Sequence, residues 1–166
     1  MIEETLIDAE SAERVGTVAA RATGEVHRLE WQRWAAAVGD HNPLWFDADH
    51  ARANGYADVI CPPLFLQYVV LGVTSLAGLR PDGSSGAVSG GLAFPRAPRR
   101  MAGGESTAFH LPAYHRDQIE MVRTIESIVE KHSRSGRFVL VTWHTTYENQ
   151  RGELVAAATT SMIARP

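Results

Sequence analysis

The spacing of apolar positions changes character partway along the chain. Over residues 28–38, "RLEWQRWAAAV", Leu29, Trp34 and Val38 recur near helical spacing and Gly39 supplies a stop. "DADHARANG" predicts a short helix that begins at Asp47 or Asp49 and ends at Gly55. Residues 64–79, "LFLQYVVLGVTSLAGL", are apolar almost all round, so this segment is expected as a helix buried on most sides. Beyond residue 118 the pattern turns to β-branched and alternating positions. Strands are predicted over 118–131, 137–150 and 153–165, with "SRSG" and "NQRG" as the turns of an antiparallel meander. A further strand near 13–20, "ERVGTVAA", is placed to pair with them. The layout is α+β: one largely buried helix against a curved antiparallel sheet.

Between these halves lies "RPDGSSGAVSGGLAFPRAPRRMAGG", residues 80–104, dense in Gly, Pro and Arg. It reads as a long loop, either functional or a plain exposed connector. Arg96, Arg99 and Arg100 cluster in it. They have the donors to hold the phosphates of a coenzyme or carrier arm, or they serve only as solubilising charge.

Composition narrows the function classes. The 166 residues suit a single domain, 1–166, and 45% hydrophobic with 21% charged residues is ordinary for a globular chain. A net charge of −3 gives no general affinity for nucleic acid or for an anionic membrane. The longest apolar run, about 64–73, is interrupted by Gln67 and Tyr68 and falls short of a membrane span. The acidic start "MIEETLIDAESAERVG" is unlike a signal peptide, so the expected location is cytoplasmic. One cysteine, Cys61, excludes an internal disulfide and reads as a small buried apolar residue. The seven histidines form no metal-ligand spacing, and no metal or resident cofactor is expected. His110 and His115, beside "LPAY", are the two to locate in the fold.

The chemically dense stretch is "VGDHNPLWFDADHA", residues 38–51. Asp40 and Asn42 ahead of Pro43 have two readings. They stabilise a turn by bonding the backbone, or they belong to a catalytic loop. Asp47 and Asp49 read as helix caps. Pro62 and Pro63 suit the first helical positions, where an N–H has no intrahelical partner.

"GDHNPLWFD", followed by "HARANGYADVICPPLF" and, later, by "GGESTAFHLPAYHRDQIE" (103–120), resembles the MaoC-like hot-dog family. That family includes (R)-specific enoyl-CoA hydratases and 3-hydroxyacyl-thioester dehydratases; the "PP-x-F" resembles its MaoC N-terminal, or FAS1-like, branch. The resemblance spans nearly the whole chain. It implies a hot-dog fold, a curved antiparallel sheet wrapped around one long central helix, with dimers that extend the sheet and sites at the dimer interface. In the second block Arg116 replaces the customary Gly before Asp117, so that turn is expected to differ.

Hydrating an enoyl thioester takes a base for water, an acid for Cα and donors for the thioester oxygen. The resemblance implies a G-D-x-N-P-x-H-x-D motif for the first two and a backbone N–H at the helix start for the third. Here the Asp and Asn fall on Asp40 and Asn42, but the histidine position falls on Trp45, whose indole only donates. The N–H position falls on Pro63, which has none. His41 is adjacent to Asp40, where a tight turn is expected to point it away.

Three readings remain open at this level. The chain is the acyl-binding subunit of a heterodimer whose partner, a complete MaoC-like chain, carries the Asp/His pair. Alternatively it is a catalytic homodimer using Asp40 in a rearranged site, or a non-enzymatic acyl-CoA binder. In each, an acyl-CoA or acyl-carrier-protein thioester is the ligand, with Trp45, Pro63, Phe65 and Tyr68, alongside the three arginines, as substrate-binding candidates.

Overall fold

Five antiparallel strands form one sheet in the computed structural model, which describes residues 4–72, 75–79 and 92–166. They are β1 (Val18–Glu25), β2 (Arg99–Phe109), β3 (Gln118–Ser133), β4 (Gly136–Asn149) and β5 (Leu154–Arg165), in spatial order β1-β3-β4-β5-β2. Four short α-helices accompany them: α1 (Ala9–Glu13), α2 (Arg28–Ala37), α3 (Ala48–Ala53) and α4 (Leu66–Val70).

The meander β3-β4-β5 follows from period-two patterning. Along β4, Val139, Val141, Trp143, Thr145, Tyr147 and Asn149 are all buried while their neighbours are less so, which fixes the inner face. Two hydrophobic clusters cover that face. One gathers Trp31, Trp45, Phe65, Leu66, Ile119 and Tyr147 under α2 and α4. The other gathers Leu6, Phe94, Ile125, Val141 and Trp143 under the N-terminal segment.

Several expectations need correction. The strand placed near 13–20 is β1, shifted toward the C-terminus, because Asp8 caps a preceding helix by accepting from the Ser11 N–H. The helix over 28–38 forms, but its inward stripe is Trp31 and Ala35 with Trp34 packed at the side. Leu29 and Val38, expected inside, are exposed. Part of the segment expected as a loop, 80–104, is strand: residues 99–104 open β2, whose exposed, Gly-containing sequence carries little apolar alternation. Residues 80–91 of that segment lie outside the described residues.

The central helix is much shorter than expected. A 3-10 turn (Pro63–Phe65) leads into α4, which ends at Val70; residues 73 and 74 lie outside the described residues. Two consecutive β-branched valines and then Gly72 are poor helix formers, and Leu71 between them already leaves the helical region at ψ 34°. Nor is the segment buried on most sides. Phe65, Leu66 and Val70 face the core, whereas Leu64, Tyr68 and Leu71 are at least half exposed. The described residues do not cover that apolar face. Gly24 of β1 brings α4 so near the sheet that a Cβ there would fall on the Val69 carbonyl oxygen.

Candidate active-site loop and the adjoining cleft

The loop after α2 is held by its own side chains. Gly39 turns the backbone at φ +73°, and the Asp40 N–H donates to the Ala35 carbonyl at 2.9 Å. One Asp40 carboxylate oxygen accepts the Asn42 N–H (3.2 Å); the other accepts the indole N–H of Trp45 at 2.9 Å. Asn42 caps the 3-10 turn Pro43–Trp45 by accepting from the Leu44 N–H at 3.0 Å. The Trp45 carbonyl in turn accepts from the Trp31 indole (3.3 Å) and the Gln32 amide (3.0 Å). Trp45 itself is buried in the core.

The residue five positions after Asp40 therefore does reach the carboxylate, but as a donor with no proton to take up or relay. Among the described residues no imidazole bonds to Asp40, and His41 is exposed. Asp47 is the cap of α3, accepting from the N–H groups of Asp49 and His50; those bonds hold its carboxyl below the usual carboxylate range. Of the two histidines singled out, His115 places Nδ1 3.2 Å from the Val26 carbonyl, and His110 is exposed on the segment after β2.

Beside the loop, a cleft of about 310 Å³ opens where the start of the helix faces the β2 end of the sheet. Pro63, Leu66 and Gln67 form one wall. Glu105, Thr107 and Phe109 of β2 and Tyr147 of β4 form the other, over the small side chains of Ala156 and Ala158. Registry explains the recess: Phe109 and Tyr147 both lie opposite Ala156, and Thr107 and Thr145 opposite Ala158. An alanine between two larger residues leaves a gap that no neighbour fills. A second, almost wholly apolar hollow continues from Pro63, Leu66 and Phe109 toward Ile60, Cys61, Leu111 and Ala113. Burial, with Asp117 nearby, pushes the Cys61 thiol up to about 12, so it is an inert apolar residue at neutral pH.

The predicted site residues are thus divided. Pro63 lines the cleft. Asp40, Asn42 and Trp45 stand outside its lining, and Phe65 packs behind it against Trp34 and half-exposed Tyr68. The three arginines do not converge on the cleft. Arg96 pairs with Glu4 and donates to the Thr5 carbonyl, Arg99 donates to the Pro166 carbonyl at 2.6 Å, and Arg100 to the Leu92 carbonyl at 3.0 Å. These bonds fasten the termini and the approach to β2. Sequence reasoning missed Gln67, Glu105, Thr107 and Tyr147. Alternation along β4 carried the signal for Tyr147; Glu105 and Thr107 had none once β2 was read partly as loop.

A curved antiparallel sheet with its helical segments on one face, and a cleft at the helix start, defines a hot-dog protein of the MaoC-like kind. The chain belongs to the FAS1-like dehydratase domain region family, whose model matches residues 13–158. It is 33% identical over 141 residues to a "UPF0336 protein" of Streptomyces avermitilis, covering 85% of each chain. It is 30% identical over 128 residues to a "probable enoyl-CoA hydratase alpha subunit" of Thermomonospora curvata, covering 75% of this chain and 40% of that one. Its fold matches the ChsH1-ChsH2 complex from Mycobacterium tuberculosis with a TM-score of 0.68 at 18% identity, over 89% of this chain and 84% of that one.

Proposed function

We propose that this chain is the acyl-thioester-binding subunit of a two-chain hydratase or dehydratase, and that a complete MaoC-like partner supplies the Asp/His pair. The observation that carries the reading is the Trp45 indole bonded to Asp40 at 2.9 Å, where a proton-relaying imidazole would have to stand. Pro63 at the helix start removes the backbone donor for the thioester oxygen as well. Both losses leave the loop's architecture intact, as a subunit that shapes a site without performing the proton transfers would require.

Two further features support pairing. β2 is an edge strand with one side unpaired, and Phe109 and Leu111 at its end are exposed beside exposed Leu64. Hot-dog relatives include a protein named as an alpha subunit and a solved two-component complex. A partner adding its own edge strand at β2 would cover this apolar strip and place its catalytic pair beside the cleft.

The test is a hydration assay with crotonyl-CoA and longer enoyl-CoA esters. The purified chain alone is expected to be inactive, and to raise or broaden activity when mixed with a complete MaoC-like subunit. Rapid turnover by the chain alone would refute the reading and favour a homodimer with a rearranged site.

A further inference from the structure

Tyr147 as a residue is 8% exposed, and its hydroxyl makes no hydrogen bond among the described residues. That oxygen is not among their fully buried unpaired polar atoms, so it keeps access to the cleft that the residue lines. Tyr147 stands in that cleft together with Pro63, Glu105 and Thr107. The ring is fixed by Ala156 and Met121 on the flanking strands, its registry partners. The hydroxyl is thus carried on a fixed ring in the cleft wall, without a protein acceptor among the described residues.

We infer that the Tyr147 hydroxyl is the hydrogen-bond donor for the carbonyl oxygen of an acyl thioester lying in this cleft, taking over the task that the Pro63 nitrogen cannot perform. The inference rests on the acyl-thioester reading above and adds the residue that recognises the carbonyl. Burial foremost, with the nearby Glu105 carboxylate, raises the tyrosine above its ordinary pKa against the opposing pull of Arg123, so it stays a phenol and a donor at neutral pH. Glu105, whose carboxylate accepts from the Thr107 hydroxyl at 3.0 Å, also makes the cleft unfavourable to an anionic carboxylate. A neutral thioester carbonyl is favoured over the free acid. The apolar hollow toward Ile60 and Val155 offers room for the chain that follows the carbonyl.

The experiment uses the full chain, alone and mixed with a complete MaoC-like subunit, and two probes: butyryl-CoA labelled with carbon-13 at the carbonyl, and its thioether analogue lacking that oxygen. Affinity is read by calorimetry and the carbonyl stretch by difference infrared spectroscopy. The wild-type chain is expected to bind the thioester roughly tenfold more tightly than Tyr147→Phe does, at about 1.4 kcal/mol per tenfold, with a lowered carbonyl stretch that the variant lacks. Both proteins should bind the thioether equally. Because the hydroxyl bonds to nothing in the described protein, Tyr147→Phe should unfold at the wild-type temperature; the thioether comparison tests the same bond without any mutation. Thioester binding with the same affinity and the same infrared band in both proteins would overturn the role of Tyr147 and leave the acyl reading standing. No binding of either probe, in either format, would overturn both.

Discussion

Asp40→Asn probes the bond between this carboxylate and the Trp45 indole most directly. Asp40 is half-buried and accepts two N–H groups, from Trp45 at 2.9 Å and from Asn42 at 3.2 Å. An asparagine in its place keeps one acceptor oxygen and turns an NH2 group toward a second donor. A hydrogen bond to a charged partner contributes about 1.5–3 kcal/mol, and partial exposure favours the lower end, so the expected loss is about 1.5 kcal/mol. In a chain of this size that lowers the melting temperature by roughly 3–6 °C. Trp45→Phe removes the donor and some ring volume, costing about 1–2 kcal/mol. If the two groups bond to each other, the double variant should be less unstable than the sum of the single losses, by about 1 kcal/mol. Urea unfolding followed by far-UV circular dichroism, at one fixed protein concentration, measures all four corners of the cycle. Additivity within about 0.3 kcal/mol would mean that Asp40 and Trp45 do not act as a pair, and the account of the loop as a scaffold would fall with it.

Four other outcomes are expected. Gly24→Ala puts a methyl group onto the Val69 carbonyl and should cost more than about 2 kcal/mol or displace α4, visible in an unfolding curve and in amide exchange along α4. Arg116 holds the left-handed conformation (φ +73°) that glycine adopts freely, so Arg116→Gly should raise stability by about 0.5 kcal/mol after the added chain entropy is subtracted. The Glu130 carboxyl is held down at about 2 against an ordinary 4.5, first by Arg137 and then by the Leu6 N–H. Its contribution is therefore complete above pH 4.5 and is lost as the pH falls toward 2. Glu130→Gln should be less stable than wild type at pH 7, and the difference should close at the acid end of a urea-unfolding series. Trp45→His alone should not confer crotonyl-CoA hydration, since Asp40 and position 45 stand outside the lining of the cleft; turnover by that variant would show that the pair reaches the substrate.

The expectation that Arg116 would alter its turn illustrates how far local rules carry. Arg116 takes the left-handed conformation that glycine adopts freely, and its surroundings hold it there. The Arg116 N–H bonds to the Val26 carbonyl at 2.8 Å, and buried Asp117 accepts from the Tyr114 N–H and the Gln150 amide. The long helix failed for the opposite reason. Apolar composition over 64–79 predicts burial, but the face carrying Leu64, Tyr68 and Leu71 has no cover among the described residues. Hydrophobicity records that a surface prefers to leave water, and is silent on which molecule covers it.

The sequence by itself determined the meander, through the alternation of β4 and the turn residues around it. It also determined the caps, through Asp47 and Asn42, and the inventory of donors at two positions: an indole at Trp45 that only donates, and no N–H at Pro63. These are local facts: side-chain period, backbone bonding and the inventory of donors and acceptors act within a few residues of one another. Only the tertiary structure decided that β2 completes the sheet beside β5 and that Glu105, Tyr147 and Pro63 line one cleft. Strand order and registry set those distances, bringing together residues that the chain holds more than forty positions apart. No local pattern encodes such a separation.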